Sequence, residues 1–294
     1  MIQIKNLTKR YEDKIVLNNV TVEIPDGSIV GLVGINGVGK STMLRLMAGI
    51  YEPDSGDIFF DGKSIFQDES VKRELYYVPD EPYFNFRDTP DKLIRENQFW
   101  LDKPCHYINF IQYLNKFNIS TSKHLFTFSK GMKRQTSLAF GLSAEPKYLF
   151  LDETFDGLDP LARLTLKREL IKLAEEKNTT VIISSHSLRE LADICDSYGI
   201  INKKNVLSYG DLDNLMYKYH KYTIAFDYIY KEKDFDFPIV KYSKDGSIIS
   251  LVTTLDYEEI KERLSRYNPI DLTEQPLDFE EEFMLEVIDQ GVER

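Results

Sequence analysis

Cysteine is scarce in this chain: its 294 residues include two, Cys105 and Cys195, with no CxxC or metal-type spacing. A disulfide framework and a cysteine-held metal centre are thereby excluded, and a reducing compartment fits. Positive charge is also in deficit, with 37 Lys and Arg against 48 Asp and Glu and a formal net charge of −11. Nucleic-acid binding works by counterion release from a basic footprint, so this balance argues against DNA or RNA as principal partner. Long apolar runs are missing as well. Ser28–Gly34 and Tyr148–Leu151 are soon broken by charge or glycine, well short of the roughly 18 residues a membrane-spanning helix needs. Met1 leads directly into an amphipathic pattern without a basic segment and apolar stretch, so no secretory leader is expected. The expectation is a cytoplasmic chain, any membrane part of its task lying in another polypeptide. His106, His124 and His220 share no metal spacing, which leaves solvated or hydrogen-bonded roles as the default.

What the chain does have is enough apolar material for a large core, 42% hydrophobic against 29% charged residues, and a length that suits one large domain plus a smaller one. Ile2–Ile24 alternates apolar and polar residues, as half-buried strands do. Pro25-Asp26-Gly27 reads as a turn, and Ser28–Val33 as a strand buried on both faces. A glycine-rich loop follows, then Met43, Leu44 and Met47 at helical spacing. Ile58–Phe60 and Leu75–Val78 read as short strands. Thr89 and Pro90 look like the cap and first residue of a helix. Tyr107, Phe110, Ile111, Leu114 and Phe117 recur at three- and four-residue intervals, so Arg87–Leu125 reads as a helical insertion. Strand signals at Tyr148–Leu151 and Thr180–Ser184 flank a charged helix at Leu161–Lys177, the alternation of a mainly parallel α/β domain. After about Asp211 the pattern predicts strands at Tyr222–Ile229, Ile239–Tyr242 and Ile248–Thr253, a hairpin turn at Asp245-Gly246, and helices at Glu258–Tyr267 and Phe279–Ile288, a small α+β tail.

Two motifs carry chemistry. Gly34-Ile35-Asn36-Gly37-Val38-Gly39-Lys40-Ser41 fits G-x-x-x-x-G-K-[ST] between a buried-type strand and a helix. Glycines let backbone N–H groups close around phosphate oxygens, and the helix directs its positive end at the same anion. Lys40 supplies a cation for the outer phosphates and the Ser41 hydroxyl a ligand for Mg²⁺. Asp152 and Glu153 directly follow an apolar strand, which carries two carboxylates to the end of the sheet where α/β ligand sites lie. One can hold Mg²⁺ through water while its neighbour orients or deprotonates the attacking water.

Taken in order along the chain, these residues resemble the ATP-binding cassette (ABC) family. Tyr11 stands where the family places an adenine-stacking aromatic, and Gly34–Thr42 resembles the Walker A motif. Phe128-Ser129-Lys130-Gly131-Met132 resembles the signature loop and Tyr148–Glu153 Walker B. Gly157-Leu158-Asp159 is similar to the D-loop, and His186 to the switch histidine. The resemblance covers about Met1–Gly210. It implies a P-loop NTPase fold of α/β class, a mixed sheet with a helical subdomain at about 81–140, within a domain spanning 1–212. Residues 213–294 would form the accessory α+β domain. It also implies that two copies pair head to tail around two ATP molecules. Each ATP would lie between Tyr11, Gly34, Asn36, Gly37, Val38, Gly39, Lys40, Ser41 and Thr42 of one copy and Ser129, Lys130 and Gly131 of the other. Glu153 would be the catalytic base, aided by Lys40 and by His186 at the γ-phosphate, while Ser41 and Asp152 serve Mg²⁺.

Two positions depart from the family pattern. Asp80 stands where Gln is usual, still able to hydrogen-bond Mg²⁺-bound water, and Lys130 replaces the first glycine of the signature pair. The single phosphate loop and the short insertion resemble transporter cassettes rather than those acting on ribosomes or DNA. Leu277–Val287 is similar to the closing element of bacterial ABC-2 type exporter ATPases. The implied role is the ATP-hydrolysing subunit of an exporter of drugs, antimicrobial or amphipathic peptides or toxins. It would sit peripherally at the cytoplasmic face of the membrane on an integral membrane subunit. The alternatives are a regulatory ATP-binding cassette module gating a partner and a soluble non-transport ABC ATPase.

Overall fold

Ile29–Val33 is buried along its whole length, as a strand covered on both faces must be. It forms β3 in the computed structural model, which describes residues 1–34, 37–97, 105–186, 188–201, 207–211, 218–277, 281–282 and 284–286. Before it come β1 (Ile2–Tyr11) and β2 (Lys14–Ile24), and after it α1 (Lys40–Met47), β4 (Ser55–Phe60), β5 (Lys63–Ser64), α2 (Glu69–Lys72) and β6 (Leu75–Val78). Next are α3 (Pro90–Asn97), α4 (Cys105–Lys116), α5 (Lys130–Ser143), β7 (Tyr148–Asp152), α6 (Pro160–Lys177), β8 (Thr180–Ser184), α7 (Leu188–Ala192), β9 (Ser197–Ile201) and β10 (Leu207–Asp211).

Among the described residues, β2-β1-β4-β5 form an antiparallel sheet and β10-β9-β3-β8-β7-β6 a six-stranded one. In the second sheet β9, β3, β8, β7 and β6 pair in parallel, an arrangement fed by the α1 and α6 crossovers. Register decides what meets at the strand ends. Leu32 pairs with Ser184 and Ser184 with Asp152, so the residues before the phosphate loop, the end of β8 and the end of β7 lie side by side. Leu17, Leu44, Ile58, Tyr148 and Phe150 are all fully buried in one cluster between α1 and the two sheets.

α3, α4 and α5 lie between β6 and β7 in the chain. Thr89 Oγ1 accepts the Lys92 amide at 3.1 Å and Pro90 opens α3, as expected of a cap followed by proline. Phe110, Leu114 and Phe117 are buried, so the aromatic stripe of α4 is core. Trp100 and Leu101 lie outside the described residues.

The chain divides into two compact units, Met1–Tyr209 and Gly210–Arg294. The second holds an antiparallel sheet ordered β12-β13-β11-β14, from β11 (His220–Ala225), β12 (Lys241–Asp245), β13 (Ile248–Thr253) and β14 (Asp271–Gln275), and a helix at Tyr257–Leu264. The expected strand Tyr222–Ile229 stops early because Phe226 turns into the core and Tyr230 folds back on it, ring centroids 4.8 Å apart. The expected strand Ile239–Tyr242 begins two residues later: Ile239 and Val240 follow Pro238, and the register opens at Lys241, opposite Val252. The hairpin turn is Gly246-Ser247, one residue past the predicted position, since Asp245 still pairs with Ile248. β14 went unpredicted because Asp271–Gln275 carries one large apolar residue, Leu272. Of the predicted helix Phe279–Ile288, Glu281, Glu282 and Met284–Glu286 are helical and the rest lies outside the described residues.

Candidate nucleotide-binding site

The phosphate loop is shaped by what lies beneath it. Gly39 has φ +122°, and a Cβ there would stand 2.9 Å from Val16 Cγ1 and 3.2 Å from Val16 O. Only glycine permits both that conformation and that approach to β2. The Met43 amide donates to Gly39 O at 2.9 Å, starting α1, whose N-terminal end points into the loop. Val38 is buried under it.

An open groove of about 700 Å³ runs over this loop. Gly37, Gly39, Lys40, Ser41 and Thr42 line it, together with Glu153, Asp156, His186 and Asp80. Tyr11, Glu12, Lys14 and Val16 of the β1–β2 hairpin line it as well. Gly34 contributes its carbonyl, which accepts Lys40 Nζ at 2.7 Å. Asn36 lies outside the described residues. Ser129, Lys130 and Gly131 do not line this groove. They form the opening of α5, where Ser129 Oγ accepts the Met132 amide at 3.2 Å as an N-cap and Lys130 Nζ donates to Glu81 at 2.9 Å.

Asp152 lies behind Ser41, fully buried. Ser41 Oγ and Ser184 Oγ donate to its Oδ1 at 2.9 and 2.7 Å, and Tyr77 OH donates to its Oδ2 at 2.9 Å. A buried carboxylate costs several kcal/mol to desolvate. Hydrogen bonds to a charged group return about 1.5–3 kcal/mol each, so these donors suffice to hold it. Strand register places them: Ser184 pairs directly with Asp152, and Tyr77 pairs with Phe150, on the same face two residues before it.

Glu153, next along, adopts φ +48°, a left-handed conformation costly for a non-glycine residue. Its amide donates to Ser184 O and Oγ, at 3.1 and 3.0 Å, which holds that geometry. The carboxylate bridges two groups, with Lys40 Nζ 3.2 Å from Oε1 and His186 Nδ1 2.9 Å from Oε2. Burial works to raise the Glu153 carboxyl, but the His186 hydrogen bond and the Lys40 charge outweigh it and hold it below the usual carboxylate range. The hydrogen bond with Glu153 raises His186 above the ordinary imidazole value, against burial and with help from Asp156.

Asp156 is a site residue that the sequence motifs do not mark, its Oδ2 lying 3.6 Å from His186 Nδ1. Tyr77 and Ser184 are others. The signal for both was a hydroxyl at a strand end beside an acidic strand end, readable only with the register in hand. The Asp80 carboxylate accepts Arg134 and also faces Lys130 at 4.0 Å.

The ABC transporter family matches residues 17–156. The chain is 30% identical over 285 residues to the ABC transporter ATP-binding protein YtrB of Bacillus subtilis (strain 168), covering 97% of each chain. The chain belongs to the ABC transporter ATP-binding proteins. It is also 31% identical to the bacitracin transport ATP-binding protein BcrA of Bacillus licheniformis, over 76% of this chain and 73% of that one. A solved ATP-binding subunit of an ABC transporter superposes with a TM-score of 0.68 at 28% identity, covering 73% of this chain and 91% of that one. As in the family generally, the ABC ATP-binding fold of this chain is one that binds ATP. Among the described residues no helix is long and apolar enough to cross a membrane.

Proposed function

We propose that this ABC transporter subunit hydrolyses magnesium-bound ATP in a head-to-tail pair of copies and thereby powers an exporter. The observation that carries this reading is the convergence on one groove of the Ser41 hydroxyl, hydrogen-bonded to the buried Asp152 behind it, and of Glu153 between Lys40 and His186. The Ser41 hydroxyl and the Asp152 carboxylate are hard oxygen donors of the kind Mg²⁺ prefers, so the residues fit that ion. Bound there, Mg²⁺ would neutralise charge on the outer phosphates.

The chain's own groups then divide the work. Lys40 draws the outer phosphates to the loop, and Tyr11 offers a half-exposed ring at the base end of the groove. Glu153, held ionised, orients and accepts a proton from the attacking water. His186 stands with a raised proton affinity at the rim, a cation for charge on the γ-phosphate. Ser129 and Gly131 lie away from their own groove, which supports their serving a second copy's nucleotide. Asp80 would contribute through the water shell of the metal only by leaving Arg134.

Tyr83 and Phe86 are largely exposed, and Phe86 stacks on Phe126 at 4.3 Å. This aromatic patch fits an integral membrane partner, and with it a peripheral position on the cytoplasmic face. The names of the relatives, bacitracin and lantibiotic transport proteins among them, support an amphipathic peptide or drug as cargo. The test is to purify the subunit with its membrane partner, identify that partner by mass spectrometry, and measure ATP turnover and its stimulation by such peptides. Absence of nucleotide binding and turnover in the intact complex would sink the reading.

A further inference from the structure

Arg134 is among the largest fully buried side chains, although it lies barely one turn into α5 from Ser129. A buried guanidinium is costly to desolvate and persists only where acceptors close on it. Here the acceptors come from two loops of the groove. Nη1 donates to the Asp156 carbonyl, while Nη2 donates to the Asp80 carbonyl at 2.6 Å and to the Asp80 carboxylate. Nε finds no partner among the described residues. The side chain is therefore placed by its ties to those loops, with one donor sacrificed.

Two neighbouring contacts repeat the pattern. A Cβ on Gly131 would stand 2.7 Å from Gly157 O, so the first turn of α5 rests directly on the loop that follows Asp156. Lys130 Nζ donates to Glu81 at 2.9 Å and lies 4.0 Å from Asp80. Asp80 and Lys130, the positions where the sequence leaves its family's pattern, thus meet in space as opposite charges. Asp156 in turn lies 3.6 Å from His186, which contacts Glu153.

We propose that Arg134 is a positioning residue, which locks the Asp80 loop and the Asp156 loop to the start of α5 and so holds His186 and Glu153 in their working geometry. The inference rests on the hydrolytic reading given above. In a pair of copies it also has a consequence for cooperation. The Ser129–Gly131 edge that would serve one ATP is fastened, inside the same chain, to the loop that serves the other. Asp80 acts in this scheme as the captive anion of Arg134.

The test uses the full chain with its membrane partner and compares wild type, Arg134→Lys, Asp80→Asn and the double variant. Lysine keeps the charge but cannot reach both loops at once. The expected result for Arg134→Lys is a fall in kcat of about tenfold or more with KM for ATP within about twofold, since misplacement by ~1 Å costs up to ~100-fold. Amide hydrogen exchange across 156–158 should quicken in the same variant. Asp80→Asn should show a smaller kcat loss, and the double variant no more than Arg134→Lys alone, because both remove one tie. Wild-type kcat in folded Arg134→Lys, or a raised KM with unchanged kcat, overturns the proposal while leaving hydrolysis by the wild type intact. If Arg134→Lys does not fold, Asp80→Asn decides, and full kcat with unchanged exchange at 156–158 overturns it. A wild type that binds and cleaves no ATP instead defeats the underlying functional reading.

Discussion

Lys40 and Glu153 share an ion pair, Nζ to Oε1 at 3.2 Å, with the lysine almost wholly buried. In the proposed function Lys40 serves phosphate and Glu153 serves water; here their charges neutralise each other, and a nucleotide that recruits Lys40 would release Glu153. Replacing Glu153 by Gln keeps the shape and removes the base. Hydrolysis should fall about 10²–10⁴-fold, while nucleotide affinity is kept or strengthened because Lys40 no longer has a competing partner. Steady-state turnover and equilibrium ATP binding measure the two effects, and near-normal turnover would remove Glu153 from its role.

Lys40→Ala deletes the phosphate cation and strands a half-buried Glu153 with one partner fewer. A charge-assisted contact of this type is worth about 1.5–3 kcal/mol, or roughly 10–100-fold in affinity. Calorimetry with ATP should show a loss in that range, and unchanged binding would defeat the assignment.

His186 and Glu153 predict a pH signature. The imidazole is raised, so its contribution is full below the ordinary value of 6.5 and is lost as pH climbs through the folded value. The Glu153 carboxyl is lowered from 4.5, so its contribution is present above that value and fades as pH falls through the folded one. The pair should therefore be ionised across the window between. NMR titration of the His186 ring should give a midpoint above ~6.5, moving down toward it in Glu153→Gln; identical midpoints would refute the coupling.

Gly131→Ala should be poorly tolerated, since the new methyl meets the Gly157 carbonyl at 2.7 Å. Overpacking of this sort costs about 1–3 kcal/mol. Chemical denaturation of the variant should show that loss together with reduced ATP turnover.

Tyr77→Phe removes the hydroxyl that donates to Asp152 Oδ2 and adds no bulk. Leaving a buried acceptor short of a partner costs about 1–3 kcal/mol. Denaturation midpoints of Tyr77→Phe and Ser184→Ala should both drop, because each removes one donor from the same carboxylate.

Much of this architecture could be read from local signals. The strand–loop–helix order around Gly39 and Lys40, and the apolar run ending in Asp152 and Glu153, need no knowledge of distant segments. Thr89-Pro90 announced a helix start by the same local logic. What stayed hidden depends on pairing. Tyr77 and Ser184 reach Asp152 only through the register of β6, β7 and β8. Arg134 belongs to none of the motifs that the sequence marks, and its burial follows from two loops closing over it. In the second unit, Phe226 falls within the strand predicted at Tyr222–Ile229, but its packing against the ring of Tyr230 bends the chain away.

Val16 belongs to the strand that returns from Tyr11, with Tyr11 paired to Lys14 and Arg10 to Ile15. Gly39 presses on Val16 with no room for a methyl group. Tyr11 and the seat of Gly39 thus rest on one hairpin, whose own ladder ties their positions together. A slip of that ladder by one residue would therefore displace both at once.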